Sequence, residues 1–426
     1  MPSGTATPRR RPALGRGGER ALVLLGLSAV VIHLVVENYV RPQPGTSAAD
    51  HLASGLIPVG ILAGVGAVYP RLRPGVRATI AMTVGAVGIA VGVPTVHYLR
   101  HGGEYAYHFT GLVALAGGVL LLLTGPVTLW RTRRRDGSRR RRWARRSLTA
   151  AVVIVAVPVV VWFVVFPVSL AYIYTHTGPV LSTPDLRVPF RTVTVTTDDS
   201  LKLTASYVRS RNGAAVVLFP GRSRADEARM LIAHGYGVLL LDPRGQGNSE
   251  GDPIRWAGAA DLLAATKYLQ ARDDVEPDRV GGFGFSVGGE ALLEAAAQST
   301  AIAAVVSEGA GERVGEANVS GAARLLVGPN QAVMSAATMV FSNQRPPPPI
   351  VDRVGRIAPR PVLLVYADPG IGGESTRQPV YYDAAGHPKA MWEVPGSRHT
   401  GGLRASPAEY ERRVVGFFDD ALLDDR

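Results

Sequence analysis

Residues 281–290, GGFGFSVGGE, hold Ser286 between Gly284 and Gly288 at the spacing G-x-S-x-G. The chain has 49 glycines, so the spacing alone decides nothing. Its setting decides more. An apolar run, RVGGFGFS, leads into the serine, and a helix-forming run, VGGEALLEAAAQS, starts just after it. A serine on a tight strand-to-helix turn is held above the C-terminal edge of a sheet, provided its neighbours are small enough for strand and helix to close up. The helix N-terminus then favours negative charge at that place. The hydroxyl still needs a base to take its proton. His399, in EVPGSRHTGG, is the candidate, because it lies late in the chain in a loop after the last apolar run. His234 precedes a helix-ending glycine and reads as surface or packing, and His387 has no partner motif around it. Ser286 and His399 together suit acyl transfer through a covalent ester.

The elements that must position these residues are short and regular. RTVTVTT (191–197) and LKLTASYV (201–208) read as a hairpin of alternating strands. AAVVLFP, GVLLLD (237–242), RVGGFGFS, IAAVVSE (302–308) and RPVLLVYA (360–367) read as strands buried on both faces, with KAMWEV (389–394) last. Helical patterns intervene in ADEARMLIAHG, AGAADLLAATKYLQAR and VGGEALLEAAAQS, and PAEYERRVVGFFDDALL closes the chain with Pro407 in its first turn. Strands alternating with helices predict an α/β fold, a mostly parallel sheet with helices on both faces. Residues 309–358 interrupt the rhythm with an apolar helix, AVMSAATMVF, and the run PPPP at 346–349. A cap over the site could be built there.

Taken in order, LFPGRS, LLLDPRGQGNSEGD (239–252), GFGFSVGG and VPGSRHTGG resemble the oxyanion strand end, the turn after the next strand, the nucleophile elbow and the histidine loop of the α/β-hydrolase superfamily. The resemblance covers residues 190–423. It implies a serine nucleophile at Ser286, a base at His399 and an oxyanion hole built from the backbone N–H groups of Val287 and Arg222. The chain departs from the family's common His-Gly by carrying Pro220-Gly221, and a proline supplies no N–H. Asp242, Arg244 and Ser249 are expected to hold a tight turn, not to act chemically.

The resemblance places the third catalytic group shortly after the strand PVLLVYA, where Asp368 and Glu374 both stand. Glu374 is preferred, since it starts a helix in a glycine-rich loop able to bend it towards the histidine. Asp368 and Glu308, the latter at the end of the preceding strand, remain open. No cofactor or metal is called for.

The N-terminal part has a different character. Apolar segments at roughly 21–36, 52–69, 78–98, 108–130 and 148–173 approach the ~20 residues needed to cross a bilayer. The first could also be a signal peptide, but four more segments follow it. Residues 1–173 carry 20 Arg/Lys against 5 Asp/Glu, and residues 174–426 carry 26 against 29. The excess charge of the chain, +12, therefore sits between apolar segments and not on a folded basic face, which argues against a nucleic-acid partner. Basic residues cluster before the first segment, after the second, and after the fourth, where RTRRRDGSRRRRWARRS holds ten arginines. Basic loops stay cytoplasmic, so residues 1–20 are expected inside, 21–173 in the plasma membrane as five helices, and 174–426 outside. Anionic lipid is the expected neighbour of the arginine run. His33, His51, His97, His101, His108 and His176, with Glu37 and Glu104, all fall towards the outer side. They could bind zinc or relay protons, although polar residues also gather at headgroups for want of a better place. There are no cysteines, which excludes disulfides and thiolate sites. The Ala/Gly/Val/Arg-rich composition is that expected of a high-GC bacterium.

The sequence thus describes a membrane-anchored serine hydrolase acting on an ester, thioester or amide, with a small-molecule, lipid or cell-envelope acyl group as substrate. An acyltransferase using the same residues is one alternative. A binding or sensor module that kept the fold is another.

Overall fold

The structure, a computed structural model, describes residues 16–101, 109–131, 138–177, 183–221, 223–253, 256, 258–313, 321, 323–368, 370–371 and 373–424. Its N-terminal part is helical: α1 (Arg16–Val35), α2 (Leu52–Val68), α3 (Pro74–Val91), α4 (Val93–His101), α5 (Thr110–Arg131), α6 (Arg139–Val160) and α7 (Phe166–His176). A π-turn, Val161–Val165, joins α6 to α7 three residues after Pro158, and another, Val36–Val40, extends α1. Five helical stretches among the described residues are long and apolar enough to cross a membrane: Gly17–Val40, Leu52–Arg71, Pro74–Arg100, Thr110–Arg131 and Ile154–His176. Their many exposed aliphatic side chains, such as Leu25, Ile61, Leu123 and Ile154, fit a lipid surround. The interior of the bundle is built from small residues, with α3 against α5 through Gly85 and Gly118, which lets the backbones approach closely.

The polar side chains of the bundle sort to its two ends. At one end Glu19 accepts from the Tyr69 hydroxyl (3.2 Å) and pairs with Arg77 (3.6 Å). At the other, the Tyr172 hydroxyl donates to Glu37, with His33 and His176 at 3.6 and 3.9 Å from the same carboxylate oxygen. His33 Nδ1 also meets the Thr110 hydroxyl at 3.0 Å. No group of three His, Cys, Asp or Glu among the described residues is placed to hold a metal ion. His108 and Glu104 lie outside the described residues, and nothing is described of the His101 side chain. The signal that sequence inspection missed here is Tyr172, hidden inside an apolar span.

The C-terminal part forms one eight-stranded sheet in the order β1-β2-β4-β3-β5-β6-β7-β8. The strands are β1 (Arg191–Thr196), β2 (Lys202–Val208), β3 (Ala215–Phe219), β4 (Gly237–Leu241), β5 (Val280–Phe285), β6 (Ala304–Glu308), β7 (Val362–Tyr366) and β8 (Lys389–Glu393). The first two are antiparallel and the other six run parallel. β3 to β6 are buried along their whole length, which is why they read as continuous apolar runs. One face of the sheet is covered by α9 (Gly258–Gln270), α10 (Val287–Gln298) and α12 (Glu374–Ala384), through Leu262, Leu292 and Tyr381. The other face is covered by α8 (Ala225–Ala233) and α14 (Pro407–Leu422), through Leu231, Tyr410 and Phe418. A short helix, α13 (Gly402–Ala405), precedes α14. This is the expected α/β architecture, a mostly parallel sheet with helices on both faces.

The insertion at 309–358 contributes α11 (Ala323–Ser342), which begins nine residues before the apolar run that announced it and packs against α7 and α2. The sheet meets the bundle with the C-terminal edge of its parallel strands. The turn after β4 docks on the loop between α1 and α2, where Gly251 N–H donates to the Pro44 carbonyl (2.8 Å) and His51 lies 4.0 Å from Asp252. β4 and β5 both run parallel to β3, so Ser286 at the end of β5 stands on the same edge.

Candidate active site

Ser286 follows β5 directly and caps α10 with φ 54° and ψ −125°, a backbone region costly for any residue with a side chain. Three backbone bonds hold it there. Its N–H donates to the Glu308 carbonyl (2.8 Å), and its carbonyl accepts from the N–H groups of Gly289 (2.8 Å) and Glu290 (3.2 Å). The turn tolerates no side chain at Gly288, where a Cβ would lie 2.2 Å from the Phe219 carbonyl oxygen. The N–H of Val287 is the first in α10 and has no partner within the helix, as an oxyanion donor requires.

His399 lies in the loop after β8. Its Nε2 is 2.8 Å from Ser286 Oγ, and its Nδ1 is 2.9 Å from Glu374 Oε1. In the tautomer that serves both contacts, Nδ1–H donates to the carboxylate and Nε2 accepts from the hydroxyl. Glu374 is fully buried, and the same Oε1 also accepts from the Ile371 N–H (3.0 Å). Its other oxygen, Oε2, is buried with no hydrogen-bond partner among the described residues. The loop that delivers this carboxylate depends on Gly370, at φ +57°, where a Cβ would fall 2.3 Å from the Glu374 side chain.

The other two carboxylates have different surroundings. Asp368 is exposed at the end of β7, near Tyr366. Glu308 is buried behind the histidine loop, accepting from the Tyr410 hydroxyl and from the Gly402 N–H (2.9 Å). Burial pushes its carboxyl above the usual range, against the pull of those two donors. It braces the loop that carries His399 and does not touch the imidazole.

Of the two expected oxyanion donors, Val287 opens α10 directly after Ser286 and Arg222 lies outside the described residues. Gly221 is unavailable for the role, because its N–H donates to the Leu241 carbonyl (2.8 Å). Sequence inspection overlooked Arg224. Its guanidinium sits 4.2 Å over the Phe285 ring and donates to the Thr400 hydroxyl (3.0 Å) and carbonyl (3.2 Å), fixing the residue next to His399. His234 pairs with Glu411 at the surface (2.7 Å). In the turn after β4, Arg244 binds Asp261 (2.8 Å) and Asp199 (2.8 Å), and Ser249 bridges the Asp242 carbonyl and the Thr204 N–H. These residues hold the turn.

Residues 185–364 match the family described as X-Pro dipeptidyl-peptidase (S15 family). An uncharacterized protein of Mycobacterium tuberculosis is 34% identical over 141 residues, 31% of this chain and 50% of its own. The acyltransferase drtE of Aspergillus calidoustus is 33% identical over 121 residues, 26% of this chain and 39% of its own. This chain therefore spans half or less of the length of these relatives. Among solved structures, the Pyrococcus furiosus esterase Pf2001 is 20% identical, with a TM-score of 0.45 over 58% of this chain and 100% of that one.

Proposed function

We propose that the α/β-hydrolase domain of this chain is a membrane-anchored serine hydrolase that cleaves an ester, thioester or amide by acyl transfer. The observation that carries the reading is the continuous chain of contacts Ser286 Oγ to His399 Nε2 (2.8 Å) and His399 Nδ1 to Glu374 Oε1 (2.9 Å). Ser286 Oγ attacks the acyl carbon while His399 Nε2 takes its proton. The negative charge on the carbonyl oxygen is met by the Val287 N–H and a second donor from the loop after β3. The imidazolium then gives its proton to the departing alcohol, thiol or amine, leaving the acyl group as an ester on Ser286. Water, deprotonated by the same nitrogen, attacks that ester, and the proton returns to the serine. Glu374 keeps its charge throughout, holding the tautomer and stabilising the imidazolium.

The five apolar helices anchor the domain. The arginine distribution supports a cytoplasmic N-terminus and an extracytoplasmic hydrolase domain in the plasma membrane. Because the catalytic edge is the one that meets the bundle, an acyl group held in a lipid or cell-envelope component is the substrate class best matched to the site. Transfer to an acceptor other than water is the second reading, and the similarity to a fungal acyltransferase favours keeping it.

A fluorophosphonate probe tests the central claim. Wild-type protein is expected to be labelled, and Ser286→Ala to be silent while retaining its thermal unfolding profile. Labelling that survives in Ser286→Ala would remove the serine from the mechanism.

A further inference from the structure

α11 carries its polarity the wrong way round for a helix in water. Its exposed stripe is Leu325, Pro329, Ala332, Ala336 and Met339, spaced three or four residues apart and without a polar side chain. Leu325 is 75% exposed and its neighbour Leu326 58%. The polar residues turn elsewhere or are satisfied within the helix. Asn330 and Ser342 are buried, the Thr338 hydroxyl donates to the Met334 carbonyl (2.8 Å), and that of Ser342 to the Thr338 carbonyl (2.6 Å). A helix on a soluble domain buries its apolar face and exposes its polar one.

The placement of α11 explains the inversion. Trp162 Nε1–H donates to the Leu326 carbonyl (3.0 Å), and Asn330 Nδ2–H donates to the Trp162 carbonyl (2.5 Å). At the other end, the Phe341 ring meets Tyr172 and His176 edge-on, 5.2 and 6.1 Å between centroids. α11 therefore runs alongside α7 in the same direction, with its N-terminal end beside Trp162. Ten residues of helix separate Trp162 from Tyr172, which places that end about 15 Å along the span from the polar cluster at Glu37. Both helices are irregular where they meet, α11 at Pro329 and its neighbour at the π-turn Val161–Val165. In hydrocarbon, polar groups near such irregularities need protein partners, and the two reciprocal bonds are contacts of that kind.

We propose that α11 lies in the bilayer as a re-entrant helix, with Leu325, Ala332, Ala336 and Met339 against lipid acyl chains. The inference rests on the five apolar helices being membrane spans. Arg324, the one charged side chain of α11, stands at its first turn and is long enough to snorkel towards headgroups. The segment that carries α11 leaves the sheet at Gly309, where a Cβ would come within 3.1 Å of both Glu374 and His399.

The chain has no cysteine, so Ala332→Cys, Ala336→Cys, Leu123→Cys and Asp198→Cys each take a single nitroxide. Leu123 is an exposed site on the span α5, and Asp198 is exposed on the hydrolase domain. In lipid nanodiscs, oxygen is expected to relax the nitroxides at 332, 336 and 123 more than a water-soluble nickel complex does, with the order reversed at 198. If 332 and 336 follow 198 while 123 does not, α11 is in water and the proposal falls with the spans intact. Shielding of 332 and 336 from both agents would place α11 inside protein, and would overturn the proposal equally. If 123 follows 198, the spans themselves fail and the proposal goes with them.

Discussion

Replacing Glu374 by Gln removes one charge and sets an amide NH2 where the unpartnered Oε2 stood. The retained Oε1 can still accept from the Ile371 N–H and from His399 Nδ1–H, so the neutral resting geometry survives. What is lost is attraction for the imidazolium that forms when Ser286 gives up its proton. With the carboxylate and imidazolium charges centred about 4 Å apart at an effective dielectric near 20, that attraction is about 4 kcal/mol. It converts to roughly a thousandfold in rate. Neutralising the corresponding acid of a serine protease costs about ten-thousandfold, so the expectation for Glu374→Gln is a fall of about 10³–10⁴-fold. Water cannot substitute for the charge, because Glu374 is fully buried. The assay is the second-order rate of fluorophosphonate labelling at Ser286, which needs no knowledge of the natural acyl group. Asp368→Asn, at an exposed position, is expected to label at the wild-type rate. A Glu374→Gln protein that labels normally, or an Asp368→Asn protein that does not, would refute the assignment.

Three further outcomes follow from the geometry. Gly370→Ala forces a Cβ to within 2.3 Å of the Glu374 side chain at a φ of +57°, and misplacement on the ångström scale lowers the labelling rate on the order of 100-fold, with the melting profile shifted down by the strained backbone. Tyr410→Phe strips the buried Glu308 of a donor, a loss of about 1–3 kcal/mol, read as a Tm lowered by about 2–4 °C per kcal/mol. Asp252, at the junction with the bundle, has its carboxyl pushed up to about 7 by burial and by the charges of Glu37 and Asp50, with Arg244 pulling the other way. Its folded pKa lies above its unfolded one, so ionising it at the junction penalises the folded state as pH rises from about 4 to 7. The stability advantage of Asp252→Asn over wild type is therefore expected to grow with pH through that window and then level off. A difference that stays flat in thermal melts across the window would show that Asp252 is not held at the junction as described.

The eight strands were legible because each is either an alternating pair partner or a short apolar run between turn residues. The site was legible where chemistry and local structure coincide: a serine needs its glycine-flanked turn wherever the fold puts it. The third group was harder. Asp368 and Glu374 differ by six positions, and the choice between them lies in the path of a loop whose direction is set by Gly370 and Gly373, both at positive φ. Glu308 could be discounted only once Tyr410 and Gly402 were seen to occupy its oxygens. The true start of α11 was hidden by Pro329, Asn330 and Gln331, which break the apolar pattern in sequence. Arg224 gave no signal, because its role depends on a histidine loop 176 residues away.

The docking of the turn after β4 on the loop between the first two long apolar helices, Gly251 against Pro44, has a consequence for how the proposed enzyme would count its substrate. On the proposed reading, in which that edge is catalytic and faces a bilayer, the site samples a two-dimensional phase. For an acyl group dissolved in that phase, occupancy of the site follows the mole fraction of substrate in the leaflet beneath it. Bulk concentration drops out once the substrate has partitioned, and inert lipid becomes a competitor by dilution alone.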